Sequence, residues 1–195
     1  MTGQNDNRRL SGLMIGSLVA LSFGTVFVMV NSADLPAPWR LVIRVVALLI
    51  AAVLLVRLFR TERAVAPTRE SDIRGFADRR YWYAVLGEII ALFGGLYVIN
   101  GVLKKPEVAV AWVVIVVGVH FLPLAWAWRL PLFYWVGGVM TVLGVAGFLA
   151  YAAGASAGTV GLIAGVGSGF TLYAAVLMGI RDAHARARRP DRNVV

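Results

Sequence analysis

The sequence predicts an all-α, polytopic membrane protein, a bundle of six transmembrane helices. Three observations predict it. Six apolar stretches of about 20 residues, the length that crosses the hydrocarbon layer as a helix, repeat from Ser11 to Ile180 with hardly a charge inside them. The chain is 59% hydrophobic and 15% charged, with mean hydropathy +0.78, whereas water-soluble chains carry roughly a quarter charged residues. The arginines fall almost entirely on alternate joints between the stretches. At roughly 25 to 30 residues per span and joint, six helices consume residues 1–195 as a single transmembrane domain.

Span one is placed at about residues 11–30. It follows Arg8 and Arg9, yet the apolar run from Leu10 to Val30 exceeds the roughly 7 to 15 residues of a signal core, so it reads as a retained span. Span two, 39–59, is introduced by Pro36 and Pro38. Residues 60–80 form the one substantial joint, in which Glu62, Glu70, Asp72 and Asp78 interleave with arginine as on a solvated or headgroup-lying segment. Span three occupies 81–103. Pro106 precedes span four, 107–128, and Pro131 opens span five, 131–152, where a missing amide proton costs least. Span six, 158–180, is expected to continue as a helical tail until Pro190 stops it.

Orientation follows from the basic residues. Arg8, Arg9, the seven arginines between Arg57 and Arg80, Arg129 and the five from Arg181 to Arg192 share one side, against Arg40, Lys104 and Lys105 on the other. Cytoplasmic joints hold the basic excess, so both termini are expected in the cytoplasm. Six tryptophans near span ends, Trp39, Trp82, Trp112, Trp126, Trp128 and Trp135, fit an interfacial belt, thickened by Tyr81, Tyr83 and Tyr134. The net charge of +9 is therefore assigned to topology and to anionic lipid headgroups, with nucleic acid discounted as a partner. Seventeen arginines against two lysines, with abundant Ala, Val and Gly, fit a GC-rich bacterial genome and hence a bacterial cytoplasmic membrane.

Small residues set how helices meet in lipid. Gly161, Gly165 and Gly169 form a four-residue ridge on span six, read as tight packing within the bundle, with homo-oligomerisation or a membrane-protein partner as the alternative. Gly12 and Gly16 on span one, and Ala84, Gly87, Ala91, Gly94 and Gly95 on span three, are further packing candidates.

Charge in the hydrocarbon costs about 2.5 to 3.5 kcal/mol on insertion scales, so each buried ionisable group needs a reason. Three fall inside the spans: Arg44, Glu88 and His120. Arg44 can snorkel from the outer end of span two, or pair with Asn100 or Glu107. Glu88 and His120 each lie about 11 to 12 Å from the inner surface, on spans that run antiparallel, so neighbouring helices can bring them together. Two readings follow: a polar pair pinning spans three and four, or a proton-responsive site. Pro123 frees the carbonyl of Val119 at that depth and can kink span four.

The tract Gly118-Val-His-Phe-Leu-Pro-Leu-Ala125 resembles one that recurs in small multi-span bacterial membrane proteins without an assigned activity. The resemblance covers eight residues of one helix and implies no mechanism.

Other chemistry lacks its residues. The chain has no cysteine, and one intramembrane histidine with one carboxylate falls short of a zinc site or a haem pocket, so no metal and no cofactor is expected. Ser17, Ser22, Thr25, Thr141, Ser168 and Thr171 are expected to bond to helix backbones rather than act as nucleophiles. His184 in the tail reads as a solvated residue. The leading expectation is a non-enzymatic accessory or stress-related membrane component. The alternative is a small proton-coupled transporter or channel using Glu88 and His120.

Overall fold

The computed structural model describes residues 12–64 and 79–187, and among these it is helical with no strand. Six helices are long and apolar enough to cross a membrane. They are α1 (Gly12–Asn31), α2 (Ala37–Ala64), α3 (Arg79–Tyr97), α4 (Ala109–Trp128), α5 (Pro131–Ala152) and α6 (Ala157–Ala187). A π turn, Val98–Val102, extends α3, and a short 3-10 turn, Pro106–Val108, leads into α4. A second π turn, Gly161–Val166, lies within α6. The protein is an integral, multi-pass membrane protein.

Three helices outrun their apolar segments. Helix α2 continues to Ala64, so residues 60–64 are helical rather than part of a joint. Arginine, threonine and glutamate carry no barrier to helix, and the first proline after span two is Pro67. Helix α3 likewise begins at Arg79, two residues ahead of span three. Helix α6 runs to Ala187, as a continuing tail requires, whereas the stop at Pro190 and residues 65–78 of the joint lie outside the described residues.

Helix α6 is the centre of the bundle. The buried share of its apolar window is 67%, against 17% for α2 and 6% for α3. It contributes to both apolar clusters. One joins Met14, Leu21 and Val28 of α1 with Ala47, Leu54 and Leu58 of α2 and with Val166, Tyr173, Val176 and Ile180 of α6. The other joins Ala111 and Val114 of α4, Val136 and Met140 of α5, and Val160, Ala164 and Leu172 of α6. Helix α3 packs on α4 at the opposite edge from α2.

Helices α1 and α6 run antiparallel, bringing both described ends to one side of the bundle: Leu13 meets Gly179, Gly24 meets Gly169, and Asn31 meets Gly161. The buried residues of α1 at 14, 17, 21, 24 and 28 alternate steps of three and four, the spacing of a left-handed helix seam. The ridge Gly161, Gly165, Gly169 lies against Gly24, Val28 and Asn31 of α1, so it serves packing within the bundle. A Cβ on Gly169 would stand 2.6 Å from the Gly24 carbonyl oxygen, and one on Gly118 of α4 would stand 2.7 Å from the Thr141 amide of α5. Gly16, Gly87 and Gly94 meet nothing, so these three do not mediate packing. Gly87 and Gly94 sit roughly a quarter turn from the Glu88–Gly95 side of α3 that faces α4.

Gly169→Ala is expected to lower stability by about 1 to 3 kcal/mol, because backbone cannot swing aside as a side chain can. Gly138→Ala, where nothing lies within 4 Å, is expected to be neutral or slightly stabilising. Thermal unfolding of both variants in detergent makes the comparison.

Candidate functional site

Glu88 and His120 meet. The His120 Nδ1 lies 2.9 Å from Glu88 Oε2, with side chains 14% and 22% exposed respectively. The approach lies off the line of an Nδ1–H hydrogen bond, so proximity of charge rather than a linear bond joins them, and it is attractive when the imidazole is protonated. The helices place the pair by simple register: α3 ascends as α4 descends, and positions 88 and 120 reach the same depth on facing sides. His120 also touches Phe121 edge to face at 6.3 Å, and Phe121 packs edge to face on Phe133 of α5 at 5.4 Å, which backs the imidazole with apolar rings.

A second fastener stands about one turn from Glu88 on α3 and about two turns from His120 on α4. Trp112 Nε1 donates to the Ala91 carbonyl at 3.1 Å, and the indole lies over Gly95, where any side chain would collide with it. Trp112 therefore ties α3 to α4 instead of joining an interfacial belt. Its indole N–H, buried at a helix contact, needs an acceptor, and a bare glycine lets the ring reach backbone. The exposed Trp39, Trp126, Trp135 and Tyr134 keep belt positions, whereas the side chains of Tyr81, Trp82, Tyr83 and Trp128 lie outside the described residues.

Pro123 sits inside α4, which continues as one helix through it. It is exposed, as Val119 is, on the side of α4 turned away from the packed core, so it does not join the pair.

Arg44 and Asn100 do not meet. Arg44 reaches the end of α1 instead: its Nε donates to Ser32 Oγ at 2.9 Å and its terminal nitrogen to the Met29 carbonyl at 2.7 Å. That carbonyl is one of the acceptors a helix leaves without an amide partner at its C-terminus, because the Ala33 amide turns to Val30 instead. A guanidinium there satisfies the acceptor and complements the negative end of the helix dipole. The partner is thus the end of α1 rather than Asn100 or Glu107. Asn100 donates to its own helix, at the Leu96 carbonyl, 3.0 Å away.

Thr25, Thr141 and Thr171 bond to helix backbone as expected, whereas the fully buried Ser168 Oγ does not: it has no hydrogen-bond partner among the described residues. Thr141 donates to the Gly137 carbonyl at 2.7 Å and Thr171 to that of Gly167 at 2.9 Å. Thr25 donates to the Leu21 carbonyl and also meets the Tyr173 hydroxyl at 2.8 Å, joining α1 to α6, a contact that sequence spacing does not reveal. In the turn between α3 and α4, the Lys105 ammonium is raised above its ordinary pKa by the Tyr151 phenol beside it, with Nζ 5.9 Å from the ring centroid.

Among the described residues, no three His, Asp or Glu side chains gather as a metal site would require. The chemistry available is that of one carboxylate and one imidazole. Comparison with protein-family models, curated proteins and solved structures finds no match to this chain.

Replacing Arg44 by Ala is expected to cost about 1 to 3 kcal/mol, because it removes two charge-assisted bonds and leaves the Met29 carbonyl only the long 3.4 Å contact from the buried Ser32 hydroxyl. Lysine at the same position is expected to recover only part of it, since one ammonium lacks the fork that reaches hydroxyl and carbonyl together. Chemical or thermal unfolding in detergent measures both.

Proposed function

We propose that this chain is a non-enzymatic accessory protein of a bacterial cytoplasmic membrane, with both termini cytoplasmic, in which Glu88 and His120 clasp a peripheral helix to a glycine-packed bundle. One observation carries the reading: α3, only 6% buried over its apolar window, is fastened to α4 by the Glu88–His120 contact and the Trp112–Ala91 bond. Polar bonds between transmembrane helices stabilise by about 0.6 kcal/mol on average and up to roughly 2, enough to seat a helix that apolar packing holds weakly. The carboxylate and imidazole offset each other's cost of leaving water, which accounts for both without a substrate.

The cytoplasmic orientation is supported by the basic residues that cluster at the ends of α2 and α6, and the bacterial membrane by the arginine-rich composition. A proton-coupled transporter or channel is the second reading, favoured by the depth of a titratable pair within the spans.

A double-mutant cycle separates the two. Glu88→Gln, His120→Ala and the double variant are expected to show a coupling of about 1 kcal/mol in unfolding free energy, with no pH-driven flux in proteoliposomes of the wild type. Purely additive effects would overturn the clasp. Flux in the wild type that disappears in folded Glu88→Gln would replace it with the transport reading.

A further inference from the structure

The ends of α2 and α6 on the side of the termini enclose a cleft of about 810 Å³. Helix α2 supplies Arg57, Arg60, Thr61 and Ala64, and α6 supplies Leu177, Ile180, Arg181, His184 and Ala185. On each helix these positions recur at intervals of three and four, so two parallel helices turn one stripe each toward a shared space. Three arginines and a histidine line it, and among the described residues no carboxylate does. The Ile180 carbonyl accepts from His184 Nδ1 at 2.9 Å, so the other ring nitrogen is the one left for a ligand. Thr61 is committed to α2, donating to the Arg57 carbonyl at 2.9 Å.

Deeper along α2, Ala52, Val53 and Val56 line a shallow apolar groove of about 300 Å³ that shares Arg57 and Arg60 with the cleft. The sequence from groove to cleft is thus apolar, then cationic, in the direction that leads from hydrocarbon to headgroups. An inorganic anion has no use for the apolar part, whereas a phospholipid matches both parts with one molecule.

We propose that this cleft is a binding site for an anionic glycerophospholipid, its phosphate held by Arg57, Arg60 and Arg181 and an acyl chain laid along Ala52, Val53 and Val56. Arginine presents a planar fork that bonds two phosphate oxygens, and basic pockets between transmembrane helices select anionic headgroups. The arginines thereby gain a role beyond topology, and Arg63 and Arg186, on the same helix ends but outside the cleft lining, serve as its internal control. The site is independent of the α3 clasp, and its test does not touch α3 or α4.

The test is native mass spectrometry of the full-length protein in detergent, titrated with phosphatidylglycerol, with phosphatidylcholine of the same acyl chains, and with inorganic phosphate. One phosphatidylglycerol is expected to be retained in preference to phosphatidylcholine, and millimolar phosphate is expected not to displace it. Arg57→Gln with Arg181→Gln is expected to weaken retention about tenfold, whereas Arg63→Gln with Arg186→Gln leaves it within about twofold. Val56→Trp, which fills the groove and keeps every charge, is expected to weaken it as well, and decides the matter should the arginine pair fail to fold. Equal retention of both lipids, displacement by phosphate, or equal loss in the two arginine pairs would each overturn the proposal.

Discussion

The near-contact of the α1 and α6 backbones is the constraint from which the rest of the bundle follows. In lipid, helices gain nothing by hiding apolar surface from one another, so association depends on how closely the chains pack. Gly24 and Gly169 bring the two backbones together, and Gly161 and Gly165 receive Asn31 at the end of α1. The π turn Gly161–Val166 falls at the same level. An extra residue in the turn widens the helix where α1 presses on it, and three glycines in and beside it leave the backbone free to do so. With α1 and α6 joined, α6 has faces left for α2 on one side and for α4 and α5 on the other, and both apolar clusters draw on it.

Away from that axis the fastening changes in kind. Helices α4 and α5 repeat the glycine device, with Gly118 and Gly137 packed against each other's backbones. Helices α2 and α3, at the edges, have no comparable glycine contact and are joined by polar groups: Arg44 to Ser32 and Met29 for α2, and Glu88 to His120 and Trp112 to Ala91 for α3. A polar bond needs one well-placed acceptor, whereas close packing needs a continuous face. Edge helices, which spend most of their surface on lipid, can supply the first more readily than the second.

The hydrocarbon thickness made the helices legible, since apolar length alone dictates where a span begins and ends. The depth match of Glu88 and His120 was legible for the same reason, being arithmetic on rise per residue. Partners that are backbone atoms were not. The acceptor for Arg44 is a carbonyl stranded at a helix end, and that of Trp112 is a carbonyl beside a glycine, neither of which has a residue letter to mark it. Glycine spacing misled on α3, where Gly87 and Gly94 share a line that faces away from α4, and it passed over the isolated Gly24, whose importance comes from standing opposite Gly169. A ridge on one helix becomes informative only once the facing helix is known.

Helix α2 shows how one residue type serves two ends of a membrane. Arg44 and Arg57 are 13 residues apart in the sequence, about 20 Å along the axis, so their charges stand near opposite limits of the apolar layer. Arg44 is committed inward, to the end of α1, where a stranded carbonyl gives it a fixed acceptor. Arg57 faces a cleft lined with cations and, among the described residues, with no carboxylate. Protein holds the first end, and in the proposed site the phosphate of a lipid holds the second. With only 17% of its apolar window buried, α2 packs through one narrow stripe, Ala47, Leu54 and Leu58. Anchoring the two ends on different groups adds to what that stripe fixes, because turning α2 to improve one contact would draw the other arginine from its partner.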